Sequence, residues 1–183
     1  MPVLASSRFS VRIHAMASTP PLRSSDAHPS PVQGDASVVL AQARALQRTA
    51  LAGATQPLLR GKNLGLLCAT DDNAAEAALF RRAATDLGAH VAQIPASLSD
   101  SSTLQEVQHT ARLLGRLYDA VECQGMPAGL VRQITQAVDM PVFEGLASQD
   151  HPTAVLAEQL DPASSVAERR MFVVQAVLLG ALA

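Results

Sequence analysis

The residues able to do chemistry in this chain are few, and the most suggestive of them sit where helices should begin. His151 precedes Pro152 and Thr153 at a loop-to-helix junction, and Asp71, Asp72 and Glu76 cluster where a short apolar run gives way to a helical pattern. Carboxylates at a helix start complement its first unpaired N–H groups, so these acids read first as local stabilisers. A single imidazole beside a proline reads as a group that caps or packs. Arg170 reads as solvent-facing or paired with Glu168 or Asp161. Cys68 and Cys123 are too far apart in sequence for the close pairs that zinc and redox sites use. Both fall within strand-like runs, which predicts small buried hydrophobes and suits a reducing cytoplasm. The sequence carries no metal or cofactor signature.

These residues need elements to position them. From Asp35 the spacing turns helical, with Val39, Ala43, Leu46 and Ala50 on one face, Asp35 as cap and Gly53 as stop. A turn with Pro57 and Gly61 leads to Leu64–Cys68, an apolar run of the kind shown by a strand buried on both faces. The chain then alternates: a helix from Ala74 to Leu87 ending at Gly88, a strand Val91–Ile94, and a helix Leu104–Leu117. A third strand, Asp119–Cys123, follows, then a helix from Pro127 to Ala137 and a fourth strand Met140–Phe143. A helix from His151 or Pro152 to Leu160 and a last one over 162–183 complete the pattern. Such alternation implies parallel strands joined by right-handed crossovers, with ligands bound at the carboxyl ends of the strands. The predicted fold is a three-layer α/β/α sandwich with a short, mostly four-stranded parallel sheet and a C-terminal helix packed on it.

Bulk properties narrow the partners. The formal charge is −2, Lys62 is the single lysine, there is no Trp and one Tyr, so neither a basic stripe nor a stacking platform points to nucleic acid. The longest apolar run, Met171 to Leu182, is interrupted by Gln175 and too short for a bilayer, which predicts a docked helix and no membrane span. Residues 1–34 are rich in Ser, Pro and Ala, with Arg8, Arg12 and Arg23 ahead of the first acid, Asp26. That composition predicts disorder. It resembles an organellar transit peptide, and an extended or misassigned start upstream of Met16 accounts for it equally well.

From Arg60 to Leu160 a series of short motifs has the order and spacing of one family: Leu-Arg-Gly-Lys-Asn-Leu at 59–64, Asp86-Leu-Gly-Ala-His90, and Thr110-Ala-Arg-Leu-Leu-Gly-Arg-Leu-Tyr-Asp119. Met140-Pro-Val-Phe-Glu-Gly-Leu146 and His151-Pro-Thr153 followed by Leu156-Ala continue it. Together they resemble the amino-terminal, carbamoyl-phosphate-binding domain of the ornithine carbamoyltransferases. Pro162-Ala-Ser-Ser-Val and Ala167-Glu-Arg-Arg-Met171 resemble the family's final helix, which returns from the second domain to pack on the first. In the family an ornithine-binding domain lies between these two pieces, whereas here Asp161 joins them directly. The resemblance therefore implies an amino-terminal-like domain over 35–161 and a docking helix over 162–183. Keeping that helix would cover apolar surface otherwise prone to aggregation.

The resemblance also places the family's site on this chain. A Ser-Thr-Arg-Thr-Arg run in the family opens the helix after the first strand and converges N–H groups, hydroxyls and guanidiniums on the phosphate. Here the matching positions are Asn73, Ala74, Ala75, Glu76 and Ala77, preceded by Asp71 and Asp72. Asp72 or Asn73 is placed to cap that helix and compete for its N–H groups. The arginine of a Tyr-Arg-Gly turn is Gln124, the glutamine of His-Pro-Thr-Gln is Ala154, and the loop around Asp100 lacks the family's lysine. His151 and Arg170 match the family's carbonyl-polarising histidine and its terminal, ligand-reaching arginine. At an effective dielectric near 20, one unit charge about 4 Å from another is worth about 4 kcal/mol, and exchanging attraction for repulsion doubles that. Such a loss removes several powers of ten in affinity.

The sequence therefore predicts a catalytically inactive paralogue, acting as a structural, regulatory or oligomerisation module. A residual carbamoyltransferase or small-ligand binder of arginine and ornithine metabolism, built on His151 and Arg170, is the alternative, and a decaying gene product the third reading. The resemblance implies a homo-oligomer, a trimer as in the family, or association with a full-length carbamoyltransferase.

Overall fold

The computed structural model describes residues 35–54, 56–69 and 74–183. The readings of 1–34 as disordered, and of Asp72 or Asn73 as a helix cap, lie outside these residues. The elements run α1 (Ala36–Leu51), β1 (Asn63–Cys68), α2 (Ala74–Asp86), β2 (His90–Pro95), α3 (Leu104–Leu117), β3 (Ala120–Gln124), α4 (Ala128–Gln136) and β4 (Val142–Glu144). A 3-10 helix (Ala154–Gln159) and α5 (Val166–Leu182) complete the chain. The four strands form a parallel sheet in the order β2-β1-β3-β4, with helices on both faces, so the structure is the three-layer sandwich that the alternation implies.

Side-chain alternation divides the core in two. Leu64 and Leu66 of β1 and Phe143 of β4 pack under α1, α2 and α5 with Phe80, Leu146, Val174 and Leu178. Leu67, Val121, Cys123 and Val142 point the other way, against Val107, Leu114 and Ile134 of α3 and α4. β1 is buried on both faces, whereas β2, at the sheet edge, is largely exposed. Gly88 ends the α2 turn with φ +85, and a Cβ there would lie 2.7 Å from the Pro57 Cβ, so the position requires glycine twice over.

Caps explain most of the boundaries. The Asp35 carboxylate accepts from the Ser37 N–H at 3.0 Å, as its position predicts. Reciprocal capping boxes open α3 at Thr103 and Glu106, and α5 at Ser165 and Glu168. The last helix thus starts at Val166 rather than Pro162, because the Asp161 carboxylate folds the chain into a turn by accepting from Ala163 N–H at 2.8 Å. β4 starts at Val142 because Pro141 has no N–H to donate, although its carbonyl accepts from Val121 at 3.0 Å.

The helix expected from His151 or Pro152 to Leu160 is instead a 3-10 helix. Thr153 gives its N–H to the His151 ring at 3.3 Å, and the following N–H groups reach carbonyls only three residues back. α5 is buried from Arg170 to Leu179 and packs against α1 and α2. Two buried glutamines fix it there. Gln175 donates to the Ala83 carbonyl at 3.2 Å, and Gln47 grips both backbone groups of Asp161 and the Ser164 hydroxyl, at 2.8–3.0 Å.

Candidate functional site

The chain leaves β1 toward β2 on one side and returns to place β3 on the other, so the carboxyl ends of β1 and β3 flank the point where the strand order reverses. Parallel sheets bind ligands at such a point. Beside it lies a cleft of about 600 Å³ between the start of α2, the 3-10 helix and the start of α5. Ala75, Glu76, Ala154 and Arg170 all line it, so residues spread over nearly a hundred positions meet in one place.

Gln124 is the last residue of β3, and alternation turns it to the α2 face, where it is only 2% exposed. Its Nε2 donates to the Glu76 Oε2 at 3.1 Å. That bond crosses the switch point and joins the end of one central strand to the first turn of the helix that leaves the other. Among the described residues the Gln124 Oε1 is buried with no hydrogen-bond partner.

Two residues to the amino side, Glu122 faces the same way and is fully buried. Its Oε1 accepts from Leu146 N–H at 2.9 Å, while Oε2 has no partner among the described residues. Burial first, and the nearby Glu144 carboxylate less so, push its pKa up to about 8 against the opposing pull of the Leu146 bond. The group is therefore largely protonated at neutral pH. Burial and the same two acids push the Cys123 thiol up to about 12, which makes it inert as a nucleophile.

Arg170 corrects a sequence reading. It is 8% exposed, neither solvent-facing nor paired with Glu168 or Asp161. Glu168 stands two residues away on another helix face and is engaged by Ser165 N–H and Oγ, both at 2.8 Å. The Asp161 carboxylate is held in its own turn. Arg170 instead donates through Nη2 to the Ser148 carbonyl at 2.7 Å and the Leu146 carbonyl at 3.5 Å. The segment 146–148 is thus clamped between a strand carboxyl and a helix guanidinium. Burial lowers the Arg170 pKa, and Glu76 partly offsets this.

His151 is buried and local in its bonding. Its Nδ1 lies 2.8 Å from the Thr153 hydroxyl, the capping and packing arrangement that its neighbours suggest. Burial, then the Arg170 charge, lower its pKa below the ordinary histidine value, so the ring is neutral at neutral pH.

The other sequence candidates divide. Ala74 is exposed at the start of α2, while Ala77 is 4% exposed and turned into the core. Asp100 is exposed in the loop after β2 and does not line the cleft. Asn73, with Asp71 and Asp72, lies outside the described residues. Cys68 is half-buried rather than buried, because it ends β1 at the sheet rim, where it accepts from Gln93 Nε2 at 3.8 Å. Sequence reasoning missed Glu122 and Gln47. A single acid inside the apolar run Ala120–Cys123 was the available signal for Glu122; for Gln47 there was none beyond its helical register beside Ala43.

Comparison with known proteins agrees with this fold. The family described as aspartate/ornithine carbamoyltransferase, carbamoyl-P binding domain, matches residues 32–161. An ornithine carbamoyltransferase of Actinobacillus pleuropneumoniae is 38% identical over 117 residues, covering 64% of this chain and 35% of that protein. One from Cutibacterium acnes is 37% identical over 115 residues, 63% of this chain and 34% of its own length. The chain thus spans about a third of the length of the curated relatives it matches. Among solved structures, the ornithine carbamoyltransferase from Pyrococcus furiosus superposes with a TM-score of 0.57 at 25% identity, over 68% of this chain and 39% of that one.

Proposed function

The chain belongs to the aspartate/ornithine carbamoyltransferase family through its carbamoyl-P binding domain, and from that premise we propose that it is a non-catalytic member serving as a structural, regulatory or oligomerisation module. The observation that carries this reading is the bond between Gln124 and Glu76. The family resemblance puts an arginine at the first position and a phosphate cradle around the second. Here a neutral amide is spent holding a carboxylate where a dianion would sit, and Asp71 and Asp72 stand just ahead in sequence. A carboxylate at that helix start uses the favourable field that an incoming phosphate would need.

The same reading treats residues 35–161 as the carbamoyltransferase-like domain and 162–183 as a helix docked on it, with the packing of α5 against α1 and α2 in support. It assigns the protein to the cytoplasm and gives it a homo-oligomeric form, a trimer by resemblance, or a place beside a full-length carbamoyltransferase. Among the described residues no helix is long and apolar enough to cross a membrane. The test is citrulline formation from carbamoyl phosphate and ornithine, by the chain alone and mixed with a full-length enzyme, alongside the mass in solution. No turnover alone, with an oligomer or a mixed complex, is the expected result; turnover by the isolated chain would overturn the reading.

One observation favours a second reading, a residual carbamoyltransferase or a small-ligand binder. Arg170 remains at the cleft and within electrostatic reach of His151, the two positions that match ligand-contacting residues of the family. Arg170 spends one nitrogen on loop carbonyls, and its buried Nε and Nη1 have no partner among the described residues.

A further inference from the structure

We propose that the cleft between α2, the 3-10 helix and α5 binds a small zwitterion with an apolar body, of the kind represented by an aliphatic amino acid. This rests on the reading that the phosphate cradle is closed. Arg170 lines the cleft at 8% exposure, and its Nε and Nη1 are buried with no partner among the described residues. The Nε of Arg169, on the same wall, is in the same condition. Buried donors of this kind are costly unless something accepts from them, and a carboxylate is the matching acceptor.

On the opposite wall stands Glu76. Its charge is felt at Arg170, yet the two do not close into an ion pair. Opposite charges held apart across a cleft suit a guest that carries both signs, with its ammonium toward Glu76 and its carboxylate toward Arg169 and Arg170. A guest with one charge would satisfy one wall and be repelled by the other. The rest of the lining is mostly hydrocarbon, including Leu79, Val155 and Val166, with Gln149 and a second carboxylate, Glu158, beside them, and at about 600 Å³ the space is ample for a small molecule. Val155 and Val166 are 59% and 67% exposed, so an aliphatic side chain laid over them would remove apolar surface from water.

The test uses the full chain and three probes of similar shape: L-leucine, 4-methylpentanoate, which lacks the ammonium, and 3-methylbutylamine, which lacks the carboxylate. Calorimetric titration is expected to show saturable leucine binding, weakened about tenfold or more for either single-charge analogue, as loss of a charged hydrogen bond implies. Glu76→Gln, whose amide oxygen can still accept from Gln124, and Arg169→Met should each weaken leucine by a similar factor while the chain still unfolds in one cooperative transition, which separates recognition from folding. Equal binding of leucine and 4-methylpentanoate, or no saturable leucine binding by the folded chain, would overturn the proposal. Carbamoyl phosphate titrated in parallel separates the two ideas: its tight binding would overturn the closed cradle and the zwitterion site with it, while silence from both ligands would overturn the zwitterion site alone.

Discussion

On the face of the sheet covered by α3 and α4, the strands bury only apolar side chains, Leu67, Val121 and Val142 with the inert thiol of Cys123, against Val107, Leu114 and Ile134. On the face covered by α1, α2 and α5, the same central strand buries Glu122 and Gln124, and the helices add Gln47, Gln175 and Arg170. A core of pure hydrocarbon tolerates any neighbour of the right volume, whereas buried polar groups must each find a partner of fixed direction. The polar face is therefore the specified one, and it is the face on which the switch-point cleft opens. Its groups hold α5 on the domain, clamp the segment 146–148 and bridge β3 to α2. Single atoms of Glu122 and Gln124 and two of Arg170 have no hydrogen-bond partner among the described residues, and of these three side chains Arg170 lines the cleft.

Each side of this contrast can be broken. The largest effect is expected on the apolar side: Ile134→Ala, at a site with no exposure, should cost about 2–5 kcal/mol in urea denaturation, the same at every pH. A cost under about 1 kcal/mol would mean that the α3 and α4 face is loosely packed.

On the polar side, Glu122 makes stability depend on pH. Its pKa stands at about 8 when folded against 4.5 ordinarily, so the native state holds the proton longer than the unfolded chain. The stabilising contribution is complete below pH 4.5 and drains away as the pH rises through the window up to about 8. The loss should be on the order of a few kcal/mol. Glu122→Gln should flatten this part of the profile and be more stable than the parent above that window. Parallel profiles for the two proteins would contradict the assignment.

Arg170→Met should cost about 1.5–3 kcal/mol, because the Ser148 and Leu146 carbonyls lose a charged donor. It should also speed amide exchange in 145–153 ahead of the rest of the chain, whereas uniform acceleration would argue against a local clamp. The smallest effect belongs to Glu76→Ala, about 1 kcal/mol in chemical denaturation, from the single bond to Gln124. A neutral or stabilising outcome would show that the bridge is a consequence of the fold and not one of its supports.

The apolar face was almost wholly legible in the sequence, because periodicity records hydrocarbon burial directly. β1, α3 and the inward turn of Val107, Ala111 and Leu114 follow from spacing alone. The polar face was legible only where a side chain bonds within its own neighbourhood, as Asp35 and His151 do. Arg170 was misread because its partners are carbonyls 22 and 24 residues away, brought near by the fold and not by any pattern around Arg170 itself. Gln124 and Glu76 were visible as substitutions against a family pattern, but their bond spans 48 residues and could not be read from either position. The 3-10 helix escaped for a related reason: one side-chain capture of the Thr153 N–H decided between two helix types with the same apolar spacing.

The proposed exclusion of carbamoyl phosphate rests on the Glu76 carboxylate standing where the family resemblance places the anion cradle. It is tested most directly by melting the full chain over a rising series of carbamoyl phosphate concentrations, since any ligand that prefers the folded state raises the transition. A transition that stays fixed into the millimolar range is the predicted result, and a transition that climbs and saturates with the ligand would contradict the account.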